Sequence, residues 1–236
     1  MVSIMKHWTL IAVSACLLAF SACNESTGPV LRPNDIIGRV LDADGRPVAN
    51  AAIALELEFE EVVPTPADKP SLSIRFTMQD PSVAELWITS FCDADTVRML
   101  LSESLPAAEY AVVWNGLDDA DRLVPDGVYW VHLVTPTENW VRPVLMANLG
   151  YAGLPEGREV APQAASTPDG RFRLGQGCLP FEFEFPAIGE PYGTIGLAIT
   201  RRVRVWALHD GYAPTCSDWV TIDADDGASV VITLSR

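Results

Sequence analysis

Residues 110–134, YAVVWNGLDDADRLVPDGVYWVHLV, constrain this chain more than any other stretch. Tyr110, Val112 and Trp114 fall on one side of an alternating run, and Tyr129, Val131 and Leu133 on one side of a second. Period-two alternation of apolar residues is the pattern of a strand with one buried face. Between the runs, Asn115-Gly116 and Pro125-Asp126-Gly127 supply residues that accept sharp turns. The stretch predicts a long hairpin with a solvated acidic tip, and a chain built round it is all-β.

The same period recurs on either side. Residues 71–78 put Leu72, Ile74, Phe76 and Met78 on one face, and residues 83–91 put Ala84, Leu86 and Ile88 inward. After a turn at 92–95, residues 96–101 return, and residues 140–146 add a last strand whose Pro143 predicts a sheet edge. With the central hairpin this makes six short strands, a count that suits a sandwich of two sheets.

The 236 residues are 49% hydrophobic, enough for a core and against disorder. The formal charge is −15, so phosphate backbones are repelled and nucleic acid is a poor partner. Otherwise such a charge serves solubility.

The N-terminus reads as an export signal. Lys6 and His7 precede an apolar run at 8–22, short of the roughly 20 residues of a membrane span but right for a secretory core. It ends in Phe20-Ser21-Ala22-Cys23, which resembles a bacterial lipoprotein box. That resemblance implies cleavage after residue 22 and lipidation of Cys23, anchoring the protein to a membrane through acyl chains. Phe20 stands where the family usually has Leu, and plain secretion with cleavage near Ala22 is the alternative. Asn24, rather than Asp, points to the outer membrane under enterobacteria-like sorting. Residues 23–35 then form a Pro-bearing tether.

Two further resemblances organise the rest. Gly38, Val40, Asp42, Gly45, Pro47, Val48 and Ala51 reproduce the opening of a carboxypeptidase regulatory-like domain, a small Greek-key sandwich of transthyretin type. Its usual T-x-x-D-G-x-F-x-L hairpin is delayed until residues 167–174, TPDGRFRL. The run W-N-G-x-D-D…V-P-D-G-V-Y is similar to the Ig-like domain of flagellar hook-capping proteins, with Asp95 where that family usually has Gly. Together they imply one sandwich formed by 36–61 plus 165–236, with a second, 68–155, inserted. Pro-rich joints at 63–70 and 155–164 fit the crossings, and loop closure penalises length only slowly.

Sites for chemistry are sparse. With Cys16 removed and Cys23 lipidated, Cys92, Cys178 and Cys216 remain. Cys178 and Cys216 fall in one proposed sandwich and are candidates for a disulfide in an oxidising compartment, leaving Cys92 a lone thiol; three free thiols are the alternative. The acidic turns, densest at Asp118, Asp119 and Asp121, lack the spacing of a calcium loop and read as solvated turn aspartates. His132 and His209 read as structural, and neither a G-x-S-x-G elbow nor an H-E-x-x-H helix is present. No catalytic residue, cofactor or metal site is predicted. The strands carrying Glu56, Glu58, Glu182 and Glu184 put acids on one face, and the strand with Arg202 and Arg204 predicts a neighbour of opposite charge. Trp114 and Trp206 read as core. Trp87 and Trp130 fall opposite the inward sets, facing either the other sandwich or solvent.

The expectation is a non-catalytic, lipid-anchored β-sandwich protein of the cell envelope, a scaffold or interaction module whose partners are envelope proteins or glycans. The alternatives are a carbohydrate-binding lipoprotein using exposed Trp87 and Trp130, and an enzyme of unrecognised type.

Overall fold

The computed structural model describes residues 35–59, 72–90, 95–149, 154, 159–175, 178–179 and 199–236, all within one compact unit, Leu31–Arg236. The described residues form strands β1 (Ile36–Asp42), β2 (Ala52–Phe59), β3 (Leu72–Met78), β4 (Ser82–Ser90), β5 (Thr96–Leu105), β6 (Ala108–Trp114), β7 (Gly127–Val134) and β8 (Asn139–Met146). They continue with β9 (Ala164–Ala165), β10 (Arg171–Leu174), β11 (Ile199–Leu208), β12 (Thr215–Cys216), β13 (Val220–Thr221) and β14 (Ala228–Leu234). The fold is all-β.

Four sheets result. Their orders are β10-β1-β14, then β12-β11-β2-β9 with β13 also on β11, then β3-β6, and β5-β4-β7-β8. Pairing is antiparallel except between β1 and β14, which run parallel from Ile36↔Ala228 to Asp42↔Leu234. The first strand of the described chain and the last therefore lie side by side.

Two principal cores fill the spaces between sheets. In one, Ile36 and Val40 of β1, Phe172 and Leu174 of β10 and Val230 and Ile232 of β14 meet Ile53, Leu55 and Leu57 of β2 and Val203 and Val205 of β11. In the other, Ile74, Phe76 and Met78 of β3 and Trp114 of β6 meet Leu86 and Ile88 of β4 and Tyr129, Val131 and Leu133 of β7. Each is sandwich-like, with alternate residues inward. Full burial of each large side chain contributes about 1.5–3 kcal/mol. Trp114 is fully buried, and its indole N–H donates to the Leu117 carbonyl at 2.9 Å, so its one polar atom is satisfied.

Two glycines permit close approach. A Cβ on Gly38 would strike the Phe172 ring, and one on Gly170 would lie 2.5 Å from the Val40 carbonyl oxygen. Gly170 also has φ +76°, in the tight turn where Gly170 N–H donates to the Thr167 carbonyl.

Strand pairing and tryptophan packing depart from the sequence reading in three places. Residues 110–134 do not form a hairpin: β6 pairs with β3, whereas β7 pairs with β4 and β8. The connection between them crosses from one sheet to the other. Likewise the turn at 167–170 joins β9, which pairs with β2, to β10, which pairs with β1. Alternation shows which face is buried, but not which strand lies alongside. Trp206 is half-buried on the outer side of its sheet rather than in the main core, packing on the small cluster of Ala54, Leu123, Leu149 and Val160. Edge placement of β8, the Pro143 strand, holds.

Candidate functional site

Three places concentrate polar or aromatic side chains. The first is where the β7 end of one layer pair meets β2 of the other. β2 is paired with β9 only at Ala52 and Ile53. Beyond that point its edge is met by other segments. Asp126 N–H donates to the Leu55 carbonyl at 3.1 Å, and the Leu57 N–H donates to Asp126 Oδ2 at 3.0 Å. The Leu149 N–H donates to Asp126 Oδ1 at 2.7 Å. Gln163 accepts from the Leu55 N–H through Oε1 at 2.8 Å and donates through Nε2 to the Asp126 carbonyl at 3.1 Å. Asp126 is fully buried. Pro125-Asp126-Gly127 is thus a junction, not a solvated turn. The Tyr129 hydroxyl reinforces it by donating to the Pro125 carbonyl at 2.7 Å, and Asn148 Nδ2 donates to the Gly116 and Val124 carbonyls at 3.0 and 2.8 Å.

The second is the acidic turn. Asp118, expected in solvent, is 6% exposed. Its Oδ1 accepts from the Ala120 and Arg122 N–H groups at 3.0 and 2.8 Å, and its Oδ2 takes the Arg122 guanidinium through Nε at 2.9 Å and Nη2 at 2.8 Å. Arg98 donates to the Asp118 carbonyl and to Asp121, and Asp119 Oδ1 accepts from the Met99 N–H at 3.2 Å. A cleft of about 330 Å³ opens beside this turn, lined by Asp95, Asp118, Asp119, Tyr129 and Gln163 among others. Its carboxylates at 118 and 119 are already engaged in fixing the loop. Among the described residues no three His, Cys, Asp or Glu converge as a metal cage would require. Asp223 shows the same habit on the surface: N–H groups of Asp225 and Asp226 hold its carboxyl below the usual carboxylate range.

The third is the outer face of β5-β4-β7-β8. Register aligns Met99, Trp87, His132 and Val141 in one row across all four strands. Met99 and Val141 are 47% and 49% exposed. His132 stacks on Trp87 with centroids 4.8 Å apart and planes 6° from parallel. Its Nε2 lies 2.9 Å from Thr89 Oγ1, and burial lowers its pKa. Trp87 and Trp130 do share this face, each half-buried, and one ring face of Trp87 is covered by imidazole. Nothing in this arrangement presents a row of open indole faces to a sugar. His209 donates through Nδ1 to the Asp210 carbonyl at 2.8 Å and meets Tyr212 edge-on.

The charged strands pair as their signs require. β11 lies beside β2 with Arg204 opposite Glu56. Arg204 grips Glu56 through Nε and Nη2, both at 2.7 Å, and the Trp206 indole N–H donates to the same carboxylate at 2.5 Å. Glu56 raises the Arg204 pKa further, and the guanidinium lies 4.8 Å over Trp219. This face is not an open charged surface, because Glu56 is 3% exposed.

The cysteine pairing expected between Cys178 and Cys216 does not form. Cys216 carries a free thiol, while Cys178 is disulfide-bonded. β12 carries Cys216 opposite Trp206, on the sheet's outer side, whereas Cys178 follows β10. Cys23, the expected lipidation site, and Cys92 lie outside the described residues, as do Glu182 and Glu184. Sequence reasoning missed Asp126, Gln163 and Asn148. A Pro-Asp-Gly triplet looks the same in a solvated turn and in a buried junction. No family model, curated protein or solved structure matches this chain.

Proposed function

We propose that this chain is a non-catalytic, lipid-anchored protein of the bacterial cell envelope. It would act as a scaffold or protein-interaction module, held in the outer membrane through Cys23. The observation that carries the reading is the use made of the polar side chains. Asp118, Asp126, Glu56 and Gln163 spend their hydrogen-bonding capacity on backbone groups and on Arg204, Arg122 and Trp206. Groups tied in this way fix loops and sheet edges and are poorly placed to change partners during a reaction. The pairing of β1 with β10 and β14 supports a carboxypeptidase regulatory-like sandwich into which residues 68–155, resembling the hook-capping Ig-like domain, are inserted. The lipoprotein box supports the anchor.

Mass spectrometry of the mature N-terminus tests the anchor. Diacyl- or triacyl-Cys23 as the first residue is the expected result, and Cys23→Ser should release the protein into the soluble fraction. An unacylated terminus at another residue would remove the anchor. Met99 and Val141 on the exposed row offer the interaction surface. Their replacement by Glu should leave the melting temperature nearly unchanged while reducing cross-linking to envelope proteins.

A further inference from the structure

We propose that the outer face of the β10-β1-β14 sheet docks on an anionic lipid bilayer through Arg39, Arg171 and Arg173. This docking rests on the proposed anchor at Cys23 and names the surface that the anchored sheet faces.

β1 turns Ile36 and Val40 into the core, so Ile37, Arg39 and Leu41 point the other way. Register places Arg39 directly between Arg171 of β10 and Val231 of β14, and Ile37 between Arg173 and Ser229. Three arginines thus share one sheet face, and among the described strand residues no Asp or Glu stands in that alternation. Like charges directly opposed across a ladder destabilise it, so folding alone does not account for Arg39 set against Arg171. Two of the arginines have carboxylate partners at the rim. Arg171 Nε lies 3.0 Å from Asp169 Oδ2, and Arg173 bonds the buried carboxylate of Asp35. Their side chains remain 40% and 38% exposed. Arg39 is exposed, and among the described residues it meets a carbonyl, that of Asp169 at 3.4 Å, and no carboxylate.

Charge complementarity and the apolar residues between the arginines choose the occupant. A guanidinium offers paired N–H donors that match phosphate oxygens. Val231, in the row of Arg39, is 61% exposed, and Ile37 and Leu41 are half-buried. Arginines interleaved with open aliphatic side chains suit a headgroup layer, where phosphates and acyl chains lie together. A soluble anion would use the arginines alone. The net charge of −15 opposes approach to an anionic surface. At physiological salt, however, charges beyond about 8 Å are largely screened, and a facing sheet lies about 10 Å away. β1 is also the described strand nearest Cys23 in sequence, and residues 24–35 between them span at most about 45 Å. Tethering at that range raises the effective concentration of lipid and lets weak docking persist.

The test uses the chain made in a bacterial host with its own leader. It is mixed with vesicles of phosphatidylcholine, or of phosphatidylcholine and phosphatidylglycerol in equal parts. Modification of each arginine by phenylglyoxal is followed by mass spectrometry. On phosphatidylglycerol, Arg39 and Arg171 should react several-fold more slowly than on phosphatidylcholine, and high salt should restore their rates. Arg142, exposed on β8, should react alike on both. Arg39→Gln should weaken the docking read from Arg171 protection about fivefold, with no fall in melting temperature. Equal Arg39 rates on the two vesicles overturn the proposal, as does Arg171 protection that survives Arg39→Gln undiminished. Slowing of Arg39 with protein concentration alone, and no further slowing on phosphatidylglycerol, overturns it in favour of a second copy. Flotation with phosphatidylcholine vesicles reads the anchor by itself. A chain that fails to float there, yet shows salt-sensitive Arg39 protection on phosphatidylglycerol, removes the anchor and leaves the docking face. A chain that floats with equal Arg39 rates removes the face and leaves the anchor.

Discussion

Replacing Asp126 by Asn is the most informative single change to the junction. The side chain keeps its shape and loses its charge and one acceptor. In the native chain Oδ1 and Oδ2 take the Leu149 and Leu57 N–H groups at 2.7 and 3.0 Å, with the side chain fully buried. The amide can accept from one of them. It must turn its own N–H₂ toward the other, leaving a buried backbone donor facing a donor. An unmet buried donor costs about 1–3 kcal/mol, and the bonds lost were charge-assisted. Relief from desolvating a carboxylate offsets part of this. The expected loss is about 2–4 kcal/mol, a fall of roughly 5–15 °C in melting temperature for a chain of this size. Asp121→Asn, at a side chain 77% exposed, should change stability by less than about 0.5 kcal/mol. Urea unfolding gives the magnitude, and amide hydrogen exchange gives the place. Protection of the Leu57 and Leu149 amides should fall in Asp126→Asn, while that of Ile232 tracks only the global loss. An unchanged urea midpoint with undiminished Leu57 protection would refute the reasoning.

Further outcomes follow from the same geometry. Gly38→Ala must move the Phe172 ring or the β14 backbone and should destabilise by about 1–3 kcal/mol in thermal melts. Glu56→Ala leaves Arg204 and the Trp206 indole N–H without their acceptor and should cost roughly 3 kcal/mol, whereas Glu56→Gln, which keeps one oxygen, should cost less. His132 titrates below its unfolded value because burial disfavours the imidazolium. Between the folded pKa and about 6.5 the unfolded chain therefore binds more protons. That part of the stability is complete above about pH 6.5 and declines as pH falls toward the folded pKa, and His132→Gln should flatten the slope. Asp223 is depressed in the folded state, so its contribution is present above the ordinary aspartate pKa and disappears as pH falls through the folded value; Asp223→Asn should remove that acid limb.

Inward faces were legible because burial writes itself into every second residue. Ile74, Phe76 and Met78, or Val131 and Leu133, could face only a core. The six strands from β3 to β8 and the edge position of the Pro143 strand followed from the same signal with turn chemistry. The opposed charges of β2 and β11 were readable because Coulomb pairing across a ladder depends on residue type alone. Strand partnership was not readable, since Trp114 and Tyr129 meet edge-on across the core from different sheets with the same alternation a hairpin would show. Nor was the burial of Asp118 and Asp126: an aspartate in a turn accepts backbone N–H groups equally well in water and against a neighbouring sheet.

The central claim is that the start and end of the folded chain share one sheet around what lies between. Amide–amide and Hα–amide nuclear Overhauser contacts across the β1–β14 ladder test it most directly. The account predicts cross-peaks of parallel pattern joining Gly38 and Val40 to Val230 and Ile232, with antiparallel ones joining Ile37 to Arg173. Contacts of Gly38 and Val40 confined to residues before Leu72 would contradict it.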